Sequence, residues 1–219
     1  MLVDIVIIKL FTVPHFRGNA AQLRGYIATK FNEYELLHQH RADKVLYTYP
    51  RVQYKVIENI PMLVAIEEGV NVLQDIYGEL NEIKTMNNTY KITSKQIIAE
   101  KREFGLAREQ NRYEFVTPWF GLNQTNFKNK YLKVSDEERA SILRKTITGN
   151  LLALSKSLGY YVSEEVKCNT YLRAMPTRFK GETIVTFKGH FNTNFVIPDY
   201  QGLGKSVSRG FGTVKLCNL

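Results

Sequence analysis

Between Leu37 and Pro50 the chain reads LHQHRADKVLYTYP, a stretch that gathers side chains able to move protons. His38 and His40 stand two residues apart, Arg41 and Lys44 supply cations, and Tyr47 supplies a phenol. An imidazole titrates near 6.5, so at neutral pH it can take a proton from a nucleophile or give one to a leaving group. A phenol can orient a hydroxyl, and an ammonium or guanidinium can neutralise an oxygen that gains charge in the transition state. Histidines two apart share a face of extended chain, though not of a helix. His40 is therefore the first candidate for proton transfer and His38 the second, with Tyr47 and Lys44 in supporting roles. Two blander readings stand beside this one. Polar histidines in a charged connection are commonly solvated bystanders. A metal site would draw on Glu33 or Glu35, yet no further His or Cys group stands at ligand spacing, and His15 and His190 are isolated in sequence. No metal and no cofactor is expected.

A second cluster, QGLGKSVSRGFG, spans residues 201–212 and contains Gly-Lys-Ser. A phosphate loop of the Walker type needs a glycine five positions before that Gly, where Asp199 stands, and a helix after the Ser, where Val-Ser-Arg-Gly-Phe-Gly follows. A carboxylate among phosphate oxygens would be repelled, so nucleotide binding of this kind is excluded. The pattern is instead Gly202-Leu-Gly204, five residues, Gly210-Phe-Gly212. Paired glycines let backbone adopt positive φ or approach another chain closely, and their bare N–H groups can face phosphate oxygens. Lys205 and Arg209 would add charge to such a contact; a tight loop packed between sheets is the alternative.

These residues need a scaffold. The 219-residue chain is 44% hydrophobic and 12% aromatic, enough apolar material for a core. Thirty Lys plus Arg against 21 Asp plus Glu leave +9, which suits a polyanionic partner. Cys168 and Cys217 form neither a CxxC pair nor a disulfide framework, so a reducing cytoplasm is the simplest setting. The apolar opening MLVDIVIIKLFTV is broken by Asp4 and Lys9 and lacks a basic leader; it reads as a first strand, and no membrane span is expected.

After that strand, Ala20, Leu23, Ile27 and Phe31 recur at helical spacing, with Arg17, Arg24 and Lys30 left to solvent. Two or three strands follow through VLYTYP and RVQYKVIENIPMLVAIEEG, then a helix through EGVNVLQDIYGELNEIK and a strand through KITSKQIIAEKREF. A second unit reads YEFVTPWFGLN as strand, then a long helix capped at Ser135 or Asp136 with Glu138 as capping-box partner of Ser135. A strand pair turning at Lys180-Gly181, the glycine loop and a last strand complete it. Two split βαβ units, ferredoxin-like in outline, fit this order, over 1–107 and 108–219. Basic and aromatic residues alternate on the strand pair, and Arg173, Arg178 and Lys180 are the candidates for phosphate contact while most Phe residues enter the core.

The G-h-G-x5-G-h-G loop just before the last strand resembles the glycine-rich loop of CRISPR-associated RNA-binding proteins built from ferredoxin-like domains. Within that superfamily the whole chain resembles the repeat-RNA endoribonuclease, the sixth CRISPR-associated protein, of subtype b. The resemblance implies an α+β fold of two tandem ferredoxin-like, RRM-like βαββαβ-type units with antiparallel sheets. It also implies metal-independent cleavage of precursor RNA within the repeat, by attack of a 2′-hydroxyl that leaves a 2′,3′-cyclic phosphate and a 5′-hydroxyl. Family members place a histidine after the first helix and a basic residue soon after it, which matches His38, His40 and Lys44 here. Gly202, Gly204, Lys205, Arg209, Gly210 and Gly212 would then contact RNA. CRISPR repeat RNA is the implied partner, with a homodimer and a CRISPR effector complex as further associations, in the cytoplasm. A non-catalytic RNA-binding subunit of the same superfamily is the alternative.

Overall fold

The computed structural model describes residues 1–38, 40–41, 44–45 and 49–217, with the backbone alone for 40–41 and 44–45. The chain divides into two compact units, and the division does not follow chain order throughout. One unit holds Leu2–Arg102 together with Val207–Gly210; the other holds Met1, Glu103–Ser206 and the chain from Phe211 onward.

In the first unit the order is β1 (Leu2–Val13), α1 (Ala20–Lys30), the single turn α2 (Glu35–His38), and the short strands β2 (His40–Arg41) and β3 (Lys44–Val45). Then come β4 (Val52–Ile57), β5 (Ile60–Ile66), α3 (Gly69–Ile76), β6 (Glu82–Lys84) and β7 (Thr89–Glu103). The sheet runs β4-β5-β1-β7-β6, with β5 antiparallel to both β4 and β1. Glu58 and Asn59, with φ of 51° and 62°, join β4 to β5 in the two-residue turn whose twist matches that of paired strands. Asn19 caps α1 in a capping box with Gln22, which leaves Leu23 and Ile27 aimed inward against Val6, Ile8 and Leu10 of β1. Leu73 and Ile76 bring α3 onto the same core. This helix is shorter than its periodicity suggests. Gly78 weakens continuation past Ile76, a 3-10 turn takes Tyr77–Glu79, and Glu82–Lys84 pairs with β7 instead.

The second unit contains β8 (Gly105–Phe115), α4 (Gln124–Asn129), α5 (Asp136–Ser157), β9 (Cys168–Phe179), β10 (Glu182–Val196) and β11 (Val214–Leu216). Its sheet order is β11-β8-β10-β9, the same ferredoxin-like arrangement as the four main strands of the first sheet. Ser135 and Glu138 form the expected capping box at the start of α5, and Lys180-Gly181 makes the expected turn with φ of 51° and 83°. The strand predicted through YEFVTPWFGLN is displaced toward the N-terminus. It ends at Phe115, ahead of Pro118, which has no N–H for a ladder, and Trp119 instead exchanges two backbone hydrogen bonds with Phe187 at 2.8 and 2.9 Å. Trp119, the single tryptophan, is fully buried and stacks on Phe115 at 5.3 Å. No helix among the described residues is long and apolar enough to cross a membrane.

In the second unit the crossover between β10 and β11 is the glycine-rich loop, with only a 3-10 turn at Val207–Arg209. Gly204, Gly210 and Gly212 all have positive φ, at 89°, 87° and 64°. A side chain on Gly210 would meet the Cβ of Ala20 at 2.6 Å, and one on Gly212 would drive into the carbonyl oxygen of Leu203. Facing this segment in the first unit is Lys55 of β4, fully buried, whose Nζ donates to Gln53 Oε1 at 2.8 Å and to the Val207 carbonyl at 3.3 Å.

Both features make expected outcomes. Gly210→Val and Gly212→Val should each cost about 2 kcal/mol or more in urea denaturation, through left-handed backbone and overpacking together. Burial pushes the Lys55 ammonium down to about 7, whereas the unfolded chain keeps a lysine near its ordinary 10.5. Between those values the unfolded chain binds a proton that the folded chain has shed, so wild-type stability should rise with pH across that window. Relative to Lys55→Met, which cannot titrate, it should gain roughly 2–3 kcal/mol between pH 6 and 9, measured by denaturation followed by circular dichroism.

Candidate functional site

The histidine segment is built on α1 and β4. The four-residue helix α2 has no length to stabilise itself, and its last carbonyls are held from outside. Arg24 Nη2 of α1 donates to the His38 carbonyl at 2.5 Å, and the Tyr54 hydroxyl of β4 donates to the Leu37 carbonyl at 3.2 Å. Arg24 is thus not a solvent residue of α1, as its place in the helical pattern suggests, but half-buried. His38 is half-buried as well, and its Nε2 finds no partner among the described residues. Burial, and then the like charge of Arg209, lower the Arg24 guanidinium below its ordinary value, while Tyr54 acts the other way. The glycine-loop segment Val207–Gly210 therefore carries Arg209 to the same neighbourhood as Arg24 and the end of α2.

His38 ends a helix and His40 begins a strand, so the two do not belong to one extended segment. His40 pairs with Val45 and Arg41 with Lys44 in a two-rung hairpin, which sets the backbone positions of three of the predicted residues. The side chains of His40, Arg41 and Lys44, and the whole of Tyr47, lie outside the described residues. Among those described, no three His, Cys, Asp or Glu side chains gather as a ligand set.

In the loop itself Gly202, Gly210 and Gly212 are buried, and Gly204 is half-buried against the Trp119 indole and the Phe120 carbonyl. What the loop offers to solvent is Lys205, Ser206 and Arg209. Lys205 Nζ lies 5.8 Å from the centroid of Phe120, which packs with Phe211 and Phe179 at 6.0 and 6.2 Å. Lys180 Nζ stands 5.8 Å from the Phe179 ring. This patch of the second unit, the half-buried rings of Phe120 and Phe179 over buried Phe211, rimmed by two ammonium groups, pairs cation and π-face as single-stranded nucleic acid requires.

The three candidates on the strand pair separate. Lys180 belongs to the aromatic patch, whereas Arg173 and Arg178 are five residues apart on β9 and face opposite sides of the sheet. Most phenylalanines of β10 do enter the core, with Phe187, Phe191 and Phe195 fully buried. His190 is isolated in sequence but not in space: its ring stacks on Tyr171 at 4.7 Å and its Nε2 lies 3.1 Å from Arg112 Nη2. Sequence reading missed Arg24, Lys55 and this pair. Only an unexplained arginine on the edge of the apolar stripe of α1, and a lysine inside the strand run VQYKVI, could have hinted at the first two.

Comparison with known proteins agrees with this architecture. The family model described as the Cas6b N-terminal domain matches residues 1–103, and the Cas6b C-terminal domain matches residues 105–217. A crystal structure of Cas6b superposes with a TM-score of 0.91 at 35% identity, over 99% of this chain and 100% of that one. The crystal structure of a CRISPR RNA processing endoribonuclease, also Cas6b, gives 0.79 at 31% identity, over 99% of this chain and 100% of that one. An uncharacterized protein of Methanocaldococcus jannaschii is 32% identical over 141 residues, which are 64% of this chain and 95% of its own. With both domain models matched in order along nearly the whole length, this chain belongs to the Cas6b family.

Proposed function

We propose that this chain is an endoribonuclease that processes CRISPR RNA by cutting within the repeat, without a metal, through attack of a 2′-hydroxyl on the adjacent phosphate. The products are a 2′,3′-cyclic phosphate and a 5′-hydroxyl. The observation that carries the reading is the convergence in one unit of the histidine segment, Arg24 and the loop cation Arg209, drawn together from positions far apart in sequence. A phosphate gaining charge on its way to a phosphorane is the species that two neighbouring guanidinium groups stabilise most. His40 takes the proton from the 2′-hydroxyl or returns one to the departing 5′-oxygen, with His38 as the second imidazole, Tyr47 orienting the hydroxyl and Lys44 countering charge. Lys205, Arg209, Arg173, Arg178 and Lys180 hold phosphates, and the loop glycines let the backbone carry the first two of these to the RNA. The Cas6b crystal structure described as a CRISPR RNA processing endoribonuclease supports the substrate class. A non-cutting RNA-binding subunit is the competing reading.

Labelled repeat RNA incubated with the protein in excess EDTA separates the two. Specific cutting is expected; binding without cutting favours the competitor, and a requirement for metal overturns the mechanism. In single-turnover experiments His40→Ala should lose roughly 10²–10⁴-fold in rate with affinity nearly unchanged, His38→Ala being the next most damaging. A 2′-deoxy substitution at the scissile nucleotide should abolish cutting by every variant. Normal rates in the double variant His38→Ala/His40→Ala would move the active site elsewhere.

The phosphate role of the loop has its own readout. Lys205→Ala with Arg209→Ala should weaken RNA binding in an intact fold and lower the slope of log affinity against log salt by roughly 0.7 for every phosphate left unneutralised. An unchanged slope would leave the loop a packing element only.

A further inference from the structure

The second sheet has two faces of different character. Register puts Phe191 opposite Tyr113, and these stack at 5.7 Å in the core. The neighbouring rungs turn outward: His190 pairs with Tyr171, and Lys188 with Arg173, so these four side chains share the other face. There they line a recess of about 570 Å³ together with Arg112, whose volume is in the range of small-ligand sites.

The recess has an uncommon floor for a solvent-facing sheet. Tyr171 is 57% exposed, yet its ring is not loose, because it lies flat on His190 with an interplanar angle of 21°. His190 is fixed in turn by Arg112, whose Nη2 donates to the imidazole Nε2 at 3.1 Å and so holds the ring neutral. Burial, and then the charge of Arg112, lower the titration of His190 below its ordinary value, in keeping with that hydrogen bond. Gly189 secures the geometry from the chain side: its φ is 135°, and any side chain there would strike the carbonyl oxygen of Tyr171. The outer face of the phenol ring is thus presented to solvent by a buttressed stack. Around it stand Arg112, Arg173 and Lys188 against one carboxylate, Glu114.

We infer that Tyr171, backed by His190, is a stacking platform for an unpaired nucleobase of single-stranded RNA, with the flanking phosphates held by Arg173 and Lys188 one rung away. This rests on the RNA reading above and adds to it a site on the outer sheet face of the second unit, distinct from the glycine loop and the histidine segment. A π-face rimmed by cations suits a base and its phosphates; a duplex, with its bases stacked inward, offers no ring to the phenol.

The test uses repeat RNA made non-cleavable by 2′-deoxy substitution at the scissile nucleotide, and an all-abasic ribose-phosphate chain of the same length. Stacking of one base is worth about 1–3 kcal/mol on alanine substitution, so Tyr171→Ala should bind repeat RNA roughly 5–150-fold more weakly. Tyr171→Phe should stay within about twofold of wild type, since the phenyl ring keeps the π-face. On the abasic chain wild type and Tyr171→Ala should bind alike. Arg173→Ala/Lys188→Ala should weaken binding of both chains and lower the salt slope by about 1.4. Unchanged Trp119 emission checks that each variant is folded. Wild-type affinity in Tyr171→Ala, or equal losses on base-containing and abasic chains, overturns this inference alone while RNA binding and cutting persist. A wild-type protein that binds no repeat RNA overturns the proposed function and this site together.

Discussion

A buried ammonium has to find oxygen. Lys55 lies inside β4 with no exposed surface, and the oxygens that receive its Nζ are Gln53 Oε1 and the carbonyl of Val207, more than 150 residues further along the chain. An unpaired charge at such a site would cost several kcal/mol, which shifts the titration of Lys55 toward neutrality and also ties Val207 to β4 within the first unit. The four residues from Val207 to Gly210 therefore count structurally with the N-terminal half of the chain. Arg209 travels with them, and its nearness to Arg24 is a consequence of that seating.

A guanidinium such as Arg24, whose proton affinity is lowered by burial and then by the like charge of Arg209, is poorly placed for stability alone. No carboxylate among the described residues forms a salt bridge with Arg24 or Arg209, although such bridges occur elsewhere, as between Arg51 and Glu68 at 2.8 Å. Phosphate oxygens accept from two guanidinium forks at once, so two neighbouring arginines favour a visiting anion of that kind. Arg24 also holds the His38 carbonyl, so its charge is fixed to the turn that carries His38.

Much of the scaffold was legible because local chemistry and tertiary packing agree there. The two-residue turns at Glu58-Asn59 and Lys180-Gly181, the capping box at Ser135 and Glu138, and the apolar stripe of α1 each follow from a local rule that the folded chain obeys. The differences arise where a distant partner decides. A single turn such as α2 has no periodicity to read; it exists because Arg24 and Tyr54 bind its carbonyls. The helix expected as far as Lys84 gives way to β6 because β7 offers a ladder. His190 looked isolated since Tyr171 and Arg112 lie on neighbouring strands, not neighbouring positions. Residue type alone made the histidine segment a candidate, but it did not give the division of the two histidines between helix and strand.

The second unit replaces the helix that would precede its last strand with glycine-rich loop, and backbone accounting explains what this gains. A helix satisfies its own N–H and C=O groups and so stays within its unit; a loop must have them satisfied by others. Here Lys205 N–H donates to the Phe120 carbonyl at 2.9 Å, Gly212 N–H to Pro118 at 2.9 Å, and Leu203 N–H to Gly212 at 2.8 Å, while Ser206 turns through a φ of 57°. The segment is irregular but held at these points, and Lys205 stands on a fixed backbone within the second unit. Side chains so carried lose only their own rotamer freedom on meeting a phosphate, and the ordering of the loop has been met in folding. That is the physical reason a loop without helix or strand can present a charged side chain from a set position.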